Sequence, residues 1–316
     1  MGAPVLALAR FTLKGPYQAA TVVGLLAVLA VFIPLLMPNT VIGVFIATLC
    51  TMLSCTMVGL VILTQGSVSG LKAIAVSVLG ITLVAWVVLK APELGLWTAL
   101  VQWLPIIVLA QTLRSSKSLS MTMMVGVVIG AIAIAMQYML WDNLEASWIN
   151  MALERMSQAE QMQKELVERN IQLIRLFVLA LVAMAYLIFM LIVVSARWIQ
   201  ARLADSDGFG KEFRSLSLGK SAAAVGLALI LPSLWLNQAW VNSLAFLVVI
   251  AFMFQGIAVV HERLLGWKKA GLWLGLYYIL LLIFPQVVAL SAITGLIDNW
   301  LGFRKLAANS NHDNEL

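Results

Sequence analysis

Charge is scarce in this 316-residue chain. Only 11% of its residues are Asp, Glu, Lys or Arg, 62% are hydrophobic, and the mean hydropathy is +1.00. Soluble domains carry about 25% charged and about 45–50% apolar residues. A water-soluble form of this chain would expose contiguous apolar surface and aggregate. A cytosolic enzyme, a disulfide scaffold and a disordered chain are therefore excluded, and the lipid bilayer is the expected solvent and first partner.

Cysteine and histidine are almost missing. Cys50 and Cys55 share one apolar run, and their i, i+5 spacing on a helix makes the side chains diverge, so neither a disulfide nor a metal pair is expected. With only His261 and His312, no zinc or haem ligand set can be assembled, and no cofactor is expected. The excess of 20 Lys plus Arg over 14 Asp plus Glu comes without a basic cluster interleaved with aromatics, so no nucleic-acid partner is expected.

What is present is a series of long apolar runs. A span needs about 20 apolar residues to cross about 30 Å of hydrocarbon. That length picks out Ala19–Leu36, Ile42–Leu63, Leu71–Leu89, Leu94–Leu113, Met121–Leu140, Ile171–Val194, Ala222–Leu236, Leu244–Val260 and Gly271–Ile293. The expected fold class is an all-α, polytopic helical membrane protein with 8–9 transmembrane helices and one long extramembrane helical extension. Arg10 and Lys14 precede the first run without a small-residue cleavage site behind it, so that run is expected to stay as an anchor with a cytoplasmic N-terminus. With that orientation, thirteen Lys and Arg fall inside and seven outside, in the sense of the positive-inside rule. A ninth crossing would leave Arg304 and Lys305 outside. The short run Ala222–Leu236, which contains Pro232, is therefore the suspected re-entrant segment. Trp97, Trp141, Trp198, Trp240, Trp267, Trp273 and Trp300 lie near the run ends, where indoles favour the headgroup layer.

No Gly or Pro interrupts the chain between Gly130 and Gly208. Residues 142–170 are polar enough to stand outside the bilayer, and good helix formers predominate among them. Ile149, Leu153, Met156, Ala159, Met162 and Leu166 recur at three- and four-residue steps, which predicts one apolar stripe. The stripe could pack on the chain's own bundle, form a short coiled coil with a second copy or a partner, or lie on lipid.

Catalytic and energy-coupling signatures are absent. No Asp, Glu, Lys, Arg or His falls at mid-bilayer depth of the predicted spans, where a charge costs at least about 2.5–3.5 kcal/mol. Ion-coupled antiport, voltage sensing and intramembrane proteolysis by paired aspartates are disfavoured accordingly, and an enzyme is not expected. Gly219-Lys220-Ser221 resembles the end of a Walker A loop, but Arg214 stands where the earlier glycine is required, so the chain is not expected to hydrolyse ATP itself. The polar groups at depth are neutral: Thr48, Thr51, Ser54, Thr56, Gln102, Gln137 with Tyr138, Gln255 and Gln286. They serve either as interhelical hydrogen-bonding groups or as the lining of a small-molecule site, for which Gln102, Trp103, Gln137 and Tyr138 are the candidates. Small-residue pairs at Ala20/Gly24, Gly66/Gly70, Gly126/Gly130 and Gly271/Gly275 would allow close helix approach.

Three stretches carry a family resemblance: "KEFRSLSLGK" with Phe213-Arg214, "FMFQGIAVVHERL" from Phe252 to Leu264, and "LIDNWLGFRKL" from Leu296 to Leu306. They resemble the C-terminal half of the YybS-like family of uncharacterised bacterial multispanning proteins, and the layout of apolar runs resembles that family over nearly the whole chain. The family is in turn distantly similar to the substrate-binding components of energy-coupling-factor vitamin transporters. The resemblance implies a six-helix unit over 1–196 that includes segment 142–170, a basic cytoplasmic loop at 197–221, and a C-terminal membrane hairpin, last helix and tail at 222–316. It implies a bacterial inner-membrane protein that takes up a small, weakly charged, vitamin-like molecule from outside, with energy from ATPase or energy-coupling subunits that dock on cytoplasm-facing small residues such as Ala20 and Gly24. The residues themselves leave an alternative open: a scaffold or assembly factor that recruits a partner, or a second copy as a homodimer, through helix 142–170.

Overall fold

The computed structural model describes residues 3–38, 40–141, 144–156, 171–206 and 208–303, with backbone alone at 3, 145 and 152–156. Every regular element among the described residues is helical, and the chain is an all-α polytopic protein. In order, the helices are α1 (Ala3–Thr12), α2 (Pro16–Leu36), α3 (Val41–Gln65), α4 (Ser67–Leu89), α5 (Glu93–Trp97), a π-helical segment (Thr98–Trp103), α6 (Leu104–Ser116), α7 (Leu119–Leu140), α8 (Leu144–Met156), α9 (Ile171–Leu203), α10 (Gly208–Arg214), α11 (Lys220–Ser233), α12 (Ala239–Arg263), α13 (Ala270–Ile283) and α14 (Pro285–Leu301).

Seven of these have the length and composition to cross a membrane: α2, α3, α4, the α5–π–α6 rod, α7, α9 and α12. Two expected spans are corrected. Ala222–Leu236 becomes α11, whose 14 residues reach about 21 Å, short of the hydrocarbon layer. Gly271–Ile293 is no straight span: α13 stops at Ile283, Phe284 is extended, and α14 leaves at 115° to it. Pro285 is the cause, since it lacks an N–H to continue the ladder and disfavours helical backbone in the residue before it. Among the described residues, seven helices are therefore long and apolar enough to cross, or eight if the bent pair counts as one span.

By the packing of its chain the molecule forms two units, Met1–Val125 with Ile188–Phe213 and Gly126–Leu187 with Arg214–Leu316. Each is organised about one central helix. In the first, 67% of the apolar window of α3 is buried, against about a third or less for α2, α4 and α6's rod; in the second, α12 is 72% buried. Polar groups tie helices together at depth in the first unit. Ser54 Oγ donates to the Val23 carbonyl at 3.0 Å, and Ser77 Oγ to the Ala20 carbonyl at 3.1 Å. Gly24 lets α2 pass Ser77 of α4 at van der Waals distance.

In the second unit α12 and α14 pack most extensively. Their backbones meet at Gly256 and Gly295, where any Cβ would run into the Ser291 carbonyl or the Phe252 carbonyl, respectively. Without a side chain at either place, small-residue packing of the kind used between membrane helices becomes possible. Gly130 of α7 similarly receives the Leu247 side chain of α12. Gly271 and Gly275 of α13, by contrast, face open space. Leu25, Leu79, Leu83, Val128 and Ile132 stand exposed, an apolar surface suited to lipid.

Candidate functional site

The first unit carries a cavity of about 530 Å³, within the size range of small-molecule sites. It sits where the C-terminal ends of α3, α6 and α9 converge beside α10. Helix α9 explains its polarity. Its 33 residues extend about 50 Å, so the helix outruns the hydrocarbon layer and can carry Arg197 and Gln200 in its last turns. Gly66, at φ +99, ends α3 in a conformation that side-chained residues avoid, and the open space beside it admits the Arg114 guanidinium. Lys117, left-handed at φ 53, ends α6 with its N–H on the Leu113 carbonyl at 2.9 Å.

Three helix ends are linked by side chains around this cavity. Arg114 Nη1 donates to the Ile62 carbonyl at 2.7 Å, and Gln200 Nε2 to the Leu63 carbonyl at 3.1 Å, so orphan carbonyls at the end of α3 are satisfied. Arg197 Nη1 donates to Gln200 Oε1 at 3.4 Å, while Nη2 pairs with Glu212 Oε2 of α10 at 2.8 Å. Gln65 Nε2 reaches back to the Leu13 carbonyl at 2.7 Å, fixing the end of α1 to the same region. The lining counts Arg114, Lys117 and Arg197 against Glu212, three positive groups minus one negative, or +2. Lys117 is exposed and, among the described residues, has no ion pair.

Burial pushes the Glu212 carboxyl above the ordinary glutamate range, and the charge and hydrogen bond of Arg197 offset this only in part. Between the ordinary and the raised value the folded chain holds more proton than the unfolded one. Stability is therefore expected to fall as pH rises through that window and to level off above it. Glu212→Gln should flatten this slope in thermal unfolding of the detergent-solubilised protein; an unchanged slope would assign it to another group.

The second unit holds a buried polar cluster. Gln255 of α12 has no exposed surface; its Oε1 accepts from the Leu218 N–H at 3.0 Å and from Asn299 Nδ2 at 3.4 Å, and its Nε2 donates to Asp298 Oδ2 at 3.3 Å. Asn299 Oδ1 accepts from the Gly219 N–H at 3.0 Å and from Ser217 Oγ at 3.3 Å. Nearby, Arg214 Nε donates to Glu262 Oε2 at 2.9 Å. These bonds fasten the turn before α11 to α12 and α14. The cluster is thus a structural latch, in keeping with the interhelical role open to Gln255. Asp298 and Asn299 lie beyond the last expected run, Gly271–Ile293; the readable signal is the i, i+4, i+7 row Ser291, Gly295, Asp298 on one helical face.

The residues predicted for a small-molecule site are placed as two pairs. Gln102 and Trp103 belong to the first unit, within the π-helical segment, an irregularity often found at functional positions. Trp103 is fully buried, and its Nε1 has no hydrogen-bond partner among the described residues; the Gln102 carbonyl lies 3.9 Å from Cys55 Sγ. Gln137 and Tyr138 belong to the second unit, both half-buried, with Tyr138 Oη 3.1 Å from Ser243 Oγ. Neither pair lines the 530 Å³ cavity. In the predicted stripe, Ile149 is half-buried on α8, Leu153 and Met156 are described by backbone alone, and Ala159, Met162 and Leu166 lie outside the described residues. Sequence reasoning missed Arg197, Gln200 and Glu212 as one group with Arg114 and Lys117, because the two sets meet only when α9 passes the ends of α3 and α6.

No protein-family model, curated protein or solved structure matches the chain.

Proposed function

We propose that this integral membrane protein binds, and moves across the membrane, a small solute carrying a single anionic group, with the cavity at the ends of α3, α6 and α9 as its polar station. The observation that carries this reading is the +2 lining, in which Arg114 and Arg197 are held in place by carbonyl and carboxylate partners while Lys117 is available. A solute with one carboxylate or phosphate remains weakly charged, as the vitamin-like class implied by the YybS-like resemblance requires. Energy would come from a separate ATPase subunit, since the chain has no phosphate-binding loop.

Orientation bears on direction. Of the Lys and Arg in the first unit, only Lys90 falls on a turn at the opposite end; Arg10, Lys14, Lys72, Arg114, Lys117, Arg197, Arg202 and Lys211 fall on segments at the cavity end. The positive-inside rule supports a cytoplasmic cavity and a cytoplasmic N-terminus in a bacterial inner membrane. Thermal unfolding of the purified protein against benzoate, glycerol 3-phosphate, benzamide and glycerol tests the reading. The two anions should raise the midpoint and the two neutral compounds should not. Lys117→Gln should weaken anion binding about tenfold, as loss of a charged hydrogen-bond donor. Acidification through the Glu212 range should tighten it by removing the one negative group of the lining. No stabilisation by either anion at any pH would sink the proposal.

A second reading, a scaffold that recruits a partner or a second copy, rests on α8, a 13-residue helix of low hydrophobicity that buries Leu144. Deletion of residues 144–156 without loss of any co-purifying protein would remove it.

A further inference from the structure

A second cavity, of about 450 Å³, lies in the second unit between α12 and α14. Its walls are almost wholly apolar: Val259 and Val260 on α12, Ile293 and Ile297 on α14, with Thr294 the only polar side chain of that wall. Its mouth is different in kind. Arg263, one helical turn beyond Val259, is exposed and has no ion pair or hydrogen bond among the described residues. Trp267 lines the same end and meets Trp273 edge to face at 6.3 Å, and Lys268 and Lys269 lie between them in the chain. Indoles of this sort sit at headgroup level, and cations beside them attract anionic lipid. The bend at Pro285 gives the trough its side wall, because α14 turns back against α12 in place of running on from α13.

We infer that this trough is a site for one anionic phospholipid, with an acyl chain between α12 and α14 and the headgroup phosphate on Arg263. Charge complementarity selects this occupant. A zwitterionic lipid would fill the apolar walls equally well but gain less from an unpaired guanidinium, and a free anion would leave those walls wet. The full-length protein, delipidated in detergent, is titrated with phosphatidylglycerol, phosphatidylcholine of the same acyl chains, and inorganic phosphate, with bound lipid counted by native mass spectrometry. One phosphatidylglycerol should be retained about fivefold more tightly than phosphatidylcholine, the gain expected of one cation near a headgroup. Inorganic phosphate should not bind in the trough. Arg263→Gln should erase the preference without changing the melting midpoint measured without lipid, and Thr294→Trp should expel the lipid by filling the trough. If Thr294→Trp fails to fold, the Arg263→Gln comparison decides alone. Equal retention of the two lipids, a preference that survives Arg263→Gln, phosphate binding that competes with lipid at this site, or a dimer that buries it would each overturn the inference.

Discussion

Gly256→Ala is expected to cost about 3 kcal/mol or more and to abolish most of the folded, monodisperse yield. The added methyl would occupy the place of the Ser291 carbonyl, an atom of α14's backbone that cannot swing aside as a side-chain end can. Overpacking of a fitted interior typically costs about 1–3 kcal/mol, and more where only backbone can move. Parting α12 from α14 also dislodges Gly295 from the Phe252 carbonyl, so one substitution loosens both halves of the crossing. Gly275→Ala is the control. It lies in a helix with nothing near its missing Cβ, and alanine there should be neutral or slightly stabilising. Equal melting midpoints for the two variants would refute the close crossing.

Gln255→Leu should destabilise by about 2–4 kcal/mol, although leucine suits an apolar helix better than glutamine. The substitution removes the acceptor of the buried Leu218 N–H and one partner each of Asp298 and Asn299. A buried polar group that loses its partner costs about 1–3 kcal/mol, and several lose one together here. Because Leu218 and Gly219 lead into α11, limited proteolysis should open the 214–220 connection first, before the global unfolding transition. Gln286→Leu makes a matched control: Gln286 is exposed and has no hydrogen bond among the described residues. A Gln255→Leu protein as stable as that control, with an uncut 214–220 segment, would show that the latch contributes little.

The architecture was legible in sequence because the bilayer imposes it locally. A run of about 20 apolar residues without charge has one low-energy fate, and the helices α2, α3, α4, α7, α9 and α12 follow from that alone. The Pro285 break was only half legible. A proline in an apolar run is compatible with a mild kink or a sharp break, and the 115° turn is decided by what α14 gains from α12 through Gly256 and Gly295. The sites were less legible still. Arg114 and Arg197 appear in sequence only as basic residues near span ends, the usual signature of topology. Lys117 likewise stands far along the chain from Gln200 and Glu212, and they become one wall when three helix ends converge.

By itself, the order of residues determined that this chain lives in lipid as a set of helices, since burial of apolar runs and satisfaction of backbone hydrogen bonds are properties of each segment alone. Which polar residues face one another was decided only by tertiary packing. Gln255, Asp298 and Asn299 became a latch, and Arg114 and Arg197 a cavity wall, because helix packing fixes which neutral and charged groups share one space. That depends on glycine-sized gaps and helix lengths in several segments at once, and no local pattern encodes it.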